Sequence, residues 1–246
     1  MQSDPLSWPM GGQNYRNTRS NSTQMQTNIE TVRKLALRWK LDTNGDVSAT
    51  PAVVGGAVYF PDWAGYMYKI DAKSGTTLWK TLLPSDGSVQ AIARTSPAVV
   101  GNVVYIGDQN GYVEALSTVN GSVIWRTKPN VGPFPIITQS PVVYNGVVYV
   151  GSASAEEGVA ANGAYPCCVS RGSFQALDAL TGADLWKTYM TPEGYSGAAV
   201  WSSTPALDTA TNTVYITTGN NYSIPQSATD CFASAGPDPA AQNACV

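Results

Sequence analysis

Four cysteines, at positions 167, 168, 231 and 245, are the residues whose chemistry follows most directly from type and spacing. The spacings do not fit a zinc ribbon. An even count, with Cys231 and Cys245 flanking a loop rich in Ala, Pro and Ser, points to disulfides and an oxidising compartment; buried free thiols are the alternative. Histidine is absent from the chain, which excludes a Ser-His-Asp triad, a His-ligated zinc and a His general base. A c-type haem is excluded as well, because its attachment motif needs Cys-x-x-Cys-His. The polar residues left for chemistry are oxygen and nitrogen donors. Arg94 is a natural fork for a carboxylate, Thr138 stands at the equivalent place one repeat later, and Glu156 and Asn220 each follow an apolar strand-like run. By residue habit alone each has a plain reading. Arg94 is a surface residue, Glu156 in Gly151-Ser-Ala-Ser-Ala-Glu-Glu-Gly158 is a solvated loop carboxylate, Asn220 after Gly219 is a turn residue, and Trp201 is a packing tryptophan.

The elements that must position these residues are short strands. Of the 246 residues 43% are hydrophobic and only 13% charged, with 23 Gly and 16 Pro, a composition that fits an all-β protein with many tight turns. A net charge of −3 without any Lys/Arg cluster makes nucleic acid and anionic membranes poor partners. No apolar run approaches the ~18 residues of a membrane span. Met1-Gln-Ser-Asp-Pro5 lacks the features of a signal peptide, so such a signal was either removed or never present.

Internal repetition organises the chain. SATPAVVGGAVYFPDWAGYMYKIDAKSGTTLWK (48–80) recurs as RTSPAVVGNVVYIGDQNGYVEALSTVNGSVIWR (94–126). A third unit, 138–187, carries an insertion over 153–171, and a fourth, 202–246, is incomplete. Pro51, Pro97, Pro141 and Pro205 mark the unit starts, and Trp79, Trp125 and Trp186 the ends of the first three. The second unit reads as four strands, Ser96–Val100, Val103–Gly107, Tyr112–Ser117 and Val123–Thr127, separated by Val-Gly-Asn, Gln-Asn-Gly and Val-Asn-Gly turns. Four antiparallel strands every ~45 residues is the pattern of a propeller blade. The triplets Asp71/Gly75/Trp79, Ser117/Gly121/Trp125 and Asp178/Gly182/Trp186 are in register. They predict a turn with Gly at positive φ and a Trp wedged between neighbouring blades. Leu37-Arg38-Trp39-Lys40, at the end of the 1–40 N-terminal segment, reads as a closing outermost strand.

This pattern resembles the pyrroloquinoline-quinone (PQQ) dependent alcohol dehydrogenases, whose eight-bladed propellers carry such a Trp motif. Trp8-Pro-Met-Gly-Gly-Gln-Asn-Tyr-Arg-Asn-Thr-Arg-Ser20, Gly45-Asp-Val-Ser-Ala-Thr-Pro51 and Tyr165-Pro-Cys-Cys168 look like the polyvinyl-alcohol dehydrogenase branch. The resemblance implies about four of eight blades, a chain that is a fragment or is completed by a second chain, and a periplasmic or secreted location. It implies PQQ on the propeller axis with calcium beside it, an alcohol substrate, and an external cytochrome c or quinone as electron acceptor. It further makes Glu156 and Asn220 calcium ligands ending the same strand in successive blades, Trp201 the floor under PQQ, and Arg94 and Thr138 contacts of its carboxylates. Two departures stand out. Ser48 occupies a place where the family's alcohol dehydrogenases often carry a carboxylate, and residues 88–89 are Ser-Val where they carry an adjacent Cys pair. Cys167-Cys168 lies instead in the insertion, as a cofactor cover, a plain loop disulfide or two free thiols. No Asp matches the family's catalytic base, which is expected beyond Val246, and weak or no turnover follows. The rival expectations are a non-catalytic propeller built from the same repeat and acting as an assembly scaffold, and a fragment that is not stable alone.

Overall fold

The computed structural model describes residues 6–201 and 203–245; the unit boundaries expected at 1, 202 and 246 lie outside them. Three antiparallel four-stranded blades follow in chain order. The first is β1 (Ala52–Val54), β2 (Ala57–Pro61), β3 (Tyr66–Asp71) and β4 (Thr77–Leu82). The second is β5 (Ala98–Val100), β6 (Val103–Gly107), β7 (Val113–Ser117) and β8 (Val123–Thr127). After the short β9 (Pro135–Ile136), which pairs with β11, the third blade is built from β10 (Val142–Tyr144), β11 (Val147–Ser154), β12 (Ser173–Asp178) and β13 (Asp184–Tyr189). A five-residue helix, α1 (Glu156–Ala160), opens the insertion between β11 and β12. Beyond β14 (Ser196–Gly197), the fourth unit has the inner pair β15 (Ala206–Asp208) and β16 (Thr213–Tyr215). Next, β17 (Asn221–Ser223) pairs with β14, and two helices follow, α2 (Gln226–Ala235) and α3 (Pro239–Asn243).

β-branched runs such as Ala-Val-Val and Val-Val-Tyr favour the pleated strands, and Gly at positive φ closes the turns, as at Gly75, Gly121 and Gly182. At Gly121 the need is double: φ is +75° and an added Cβ would lie 2.8 Å from the Trp79 ring. The same contact recurs between Trp39 and Gly75 and between Trp125 and Gly182. Each indole N–H donates to a carbonyl of that next turn, Trp39 to Ala72, Trp79 to Thr118 and Trp125 to Ala179, all at 3.0 Å. The Trp therefore fills the gap between blades and satisfies its one polar atom there. Buried Val, Ile, Leu, Ala and Tyr side chains of adjacent blades form the core between the sheets.

Two expectations need correction. The segment around Trp39 forms no strand, because no neighbouring third strand pairs with it among the described residues; it keeps only the docking contact. The stretch read as an Ala/Pro/Ser-rich loop after the fourth inner pair forms α2 and α3, tied by the Cys231–Cys245 disulfide.

The N-terminal segment runs across the inner strands. Trp8 pairs with Val53, Val99 N–H donates to Pro9 O at 2.7 Å, and Leu207 N–H donates to Tyr15 O at 2.7 Å. Met10 lies in the core of blades two and three. One peptide thus straps blades one, two and four.

Candidate functional site

Where each unit enters its innermost strand, two register positions face a common cavity of about 180 Å³. Three residues before the unit's proline stand Ser48, Arg94 and Thr138; immediately before it stand Thr50, Ser96, Ser140 and Thr204. The hydroxyls of the second set also join the blades. Thr50 N–H donates to Ser96 Oγ and Ser96 N–H to Ser140 Oγ, both at 2.9 Å. The strap supplies Gly11 and Arg19 to the same wall. Gly11 is required there, since a Cβ would lie 2.9 Å from Ser96 Cβ. A larger cavity of about 640 Å³ lies within residues 7–23 alone and has no charged residue in its wall.

The structure therefore brings Arg94 and Thr138 together. Arg94 is exposed, with its guanidinium 5.7 Å from the Trp63 ring, and Trp63 Nε1 donates to Ser48 Oγ at 2.8 Å. Thr138 is only 4% exposed, and its Oγ1 has no hydrogen-bond partner. A buried hydroxyl without a partner costs free energy of about 1–3 kcal/mol unless something else satisfies it. With a guanidinium nearby and no acidic side chain in the wall, the cavity fits a ligand bearing carboxylates. Trp63, on the β2–β3 turn, was not singled out by its sequence, which gives it no motif.

Glu156 occupies the start of α1 and is fully buried, unlike a solvated loop acid. Its Oε1 accepts from the Tyr165 hydroxyl (2.6 Å) and Val169 N–H (3.1 Å), and its Oε2 from Ser170 N–H (2.7 Å). Burial opposes its ionisation, but hydrogen bonds from Ser170, Tyr165 and the two amides outweigh burial and hold the carboxyl below its ordinary value. The insertion is thus wrapped around one carboxylate. Cys167 and Cys168, disulfide-bonded to each other, sit inside that wrap, and Cys168 O accepts from the buried Ser196 Oγ at 2.6 Å.

Asn220 does not end a strand. β16 stops at Tyr215 because no third strand pairs with it among the described residues. Asn220 is exposed, its Nδ2 donating to Asn221 O at 3.1 Å and its backbone carbonyl accepting from Ala198 N–H at 2.8 Å. β17, which follows it, lies beside α1. Burial and a hydrogen bond to the Glu157 carboxylate push the Tyr222 phenol up to about 12, with the Glu156 charge adding to the shift. Trp201 is half-buried at Gly219, where a Cβ would lie 2.8 Å from its Nε1. Among the described residues no group of three or more Asp, Glu or Cys could hold a metal. A hard cation takes 6–8 oxygens, so Glu156 and Asn220 would supply only part of a shell.

Comparison with known proteins agrees with this architecture. A PQQ-repeat family model, described as outer membrane protein assembly factor BamB, matches residues 34–166, more than half of the chain. A polyvinylalcohol dehydrogenase of a Pseudomonas species is 28% identical over 237 residues, covering 89% of this chain and 37% of that protein. The quinohemoprotein alcohol dehydrogenase ADH-IIG of Pseudomonas putida is 31% identical over 198 residues, 77% of this chain and 26% of that protein. The solved structure of the Pseudomonas putida enzyme superposes with a TM-score of 0.73 at 28% identity, over 89% of this chain and 35% of that one. The chain spans about a third of the length of the curated relatives it matches. Blades docked by tryptophan, the family match and these relatives agree: the chain belongs to the PQQ-repeat propeller family, and its relatives include a polyvinylalcohol dehydrogenase and a quinohemoprotein alcohol dehydrogenase.

Proposed function

We propose that the chain carries the cofactor-binding part of a PQQ- and calcium-dependent dehydrogenase that oxidises secondary alcohols, similar to polyvinylalcohol dehydrogenase. The observation that carries the reading is the unpartnered, buried Thr138 Oγ1 in a cavity shared with Arg94 and walled by hydroxyls. When bound, PQQ is the two-electron oxidant and calcium the Lewis acid beside it. Arg94 and Thr138 hold carboxylates, the first as a charged fork and the second as a neutral donor. Trp201 offers an aromatic face. Glu156, ionised and buried, and the Asn220 amide oxygen are the calcium donors. No aspartate stands in the cavity wall, so no residue of this chain is assigned as the base, and we expect little or no turnover from it alone. The exposed Leu185, Trp186 and Tyr189 on β13 are where further blades or a second chain would pack. The Cys231–Cys245 disulfide supports a periplasmic or secreted setting, with electrons passed to an external cytochrome c or quinone. No helix among the described residues is long and apolar enough to cross a membrane.

The second reading, a non-catalytic propeller serving as an assembly scaffold, is favoured by one observation. The Glu156 carboxylate is already satisfied by Tyr165, Val169 and Ser170 without a metal. Titrating the chain with PQQ in the presence and absence of calcium separates the two. The dehydrogenase reading expects calcium-dependent binding, weakened about tenfold or more in Glu156→Gln and Asn220→Ala. Absence of PQQ binding at every calcium concentration leaves the scaffold.

A further inference from the structure

The repeats account for Arg94 and Thr138, but Arg19 belongs to no repeat. It comes from the strap, yet it lines the same cavity. Two positive side chains share a small wall whose other polar members are hydroxyls, and neither Arg19 nor Arg94 has an ion-pair partner among the described residues. Two guanidiniums in one cavity repel each other unless an anion lies between them.

The strap holds Arg19 in place from several sides. Its own N–H donates to Gly12 O at 3.0 Å, and its φ of +51° lies in the left-handed region, which a non-glycine residue adopts at a cost. Two residues earlier, Asn17 Nδ2 donates at 2.9 Å to the carbonyl of Thr204, itself a wall residue. Gly12 admits no side chain, since a Cβ would lie 2.4 Å from Asn17 Oδ1. The turn that presents Arg19 is therefore built onto the fourth unit rather than left as a loose tail. Thr138 Oγ1 supplies the independent sign of a ligand: a nearly fully buried donor with nothing to donate to.

We propose that Arg19 is a second anion-binding residue of this cavity, and that Arg19 and Arg94 together grip separate carboxylates of one polycarboxylate ligand. This rests on the cofactor reading above and extends it from the blades to the strap. A monocarboxylate satisfies one guanidinium and leaves the other unpaired, so the site prefers ligands carrying at least two negative groups.

The test compares wild type, Arg19→Gln, Arg19→Lys and Arg94→Gln, with far-UV circular dichroism and thermal midpoints showing that each variant is folded. Binding of PQQ and of its neutral trimethyl ester is read by tryptophan fluorescence at two salt concentrations. Arg19→Gln is expected to weaken PQQ binding by about 10- to 100-fold, the loss of one charge-assisted pair, to reduce the salt dependence, and to leave ester binding unchanged. Arg19→Lys recovers part of the loss, since the charge remains without the fork. If Arg19→Gln binds PQQ like wild type while Arg94→Gln does not, the proposal is overturned and the cofactor reading stands. If wild type takes up no PQQ, the cofactor reading fails. Benzene-1,3,5-tricarboxylate then decides the anion site by the same comparison: tighter binding to wild type than to Arg19→Gln supports it, and equal binding overturns it.

Discussion

Trp125 and Trp186 close the second and third blades at the same register position, and their surroundings differ. Trp125 is 8% exposed, packs on Gly182 and donates to Ala179 O. Trp186 is 44% exposed, contacts Tyr149 and Phe174 of its own blade, and its N–H has no partner among the described residues. The strands follow suit: β13 is exposed along its whole length, whereas β8 is mostly covered. The same residue in the same local sequence is thus a keystone or a surface side chain according to whether a complete blade lies against it. The motif specifies a docking surface, and the stabilisation resides in the interface.

The largest effect that would sharpen this contrast is expected from Trp125→Ala. Removing a buried Trp leaves a cavity between blades and takes one of two donors from the Ala179 carbonyl, the Tyr105 hydroxyl remaining at 3.1 Å, for a loss of about 3–5 kcal/mol measured by urea unfolding. Next comes the pH response of the second blade, whose interior differs from that of the third at matched positions. Asp108 and Glu114 are both fully buried and share Arg126, which contacts them at 3.3 and 2.9 Å. The corresponding residues of the third blade, Ser152 and Gln175, form a neutral hydrogen bond at 3.3 Å. Burial, with the Asp108 charge adding to it, pushes the Glu114 carboxyl from 4.5 up to about 8 despite Arg126. The fold then holds a proton that the unfolded chain releases, so this residue's contribution falls as pH rises from about 4.5 to 8. Glu114→Gln is expected to flatten that slope in urea midpoints taken between pH 5 and pH 8; an unchanged slope would remove the account of a proton held on Glu114 in the fold. The smallest effect belongs to Trp186→Ala, below about 1 kcal/mol in the isolated chain. A loss there as large as at Trp125 would break the comparison.

The blades were legible because Trp79, Trp125 and Trp186 recur with Gly and Asp or Ser at fixed offsets, and a register that returns three times sets the period of the sheets. Arg94 and Thr138 were legible for the same reason, as equivalent positions of successive units. The strap was not. Residues 8–19 carry neither the alternation of a strand nor the periodicity of a helix, because their backbone hydrogen bonds are divided between turns of their own and scattered partners from Val53 to Leu207. Trp63 and Arg19 escaped for that reason: Arg19 reaches the cavity from the strap and Trp63 reaches Arg94 and Ser48 from the β2–β3 turn, where side-chain direction depends on backbone angles that no short pattern encodes. The wrap around Glu156 was hidden because it draws on backbone amides, of Val169 and Ser170, which donate whatever side chain the residue carries. The end of β16 at Tyr215 reflects strand pairing, which depends on a neighbour rather than on Thr-Val-Tyr itself.

The strap alters how the molecule should come apart. In a linear array each unit touches only the next, and unfolding can begin at an end and spread stepwise. A peptide hydrogen-bonded to Val53, Val99 and Leu207 links the first unit to the fourth directly, so fraying at one end also releases contacts at the other. The four units are consequently expected to melt as a single cooperative body, with residues 8–19, though they belong to no blade, setting how sharp that transition is.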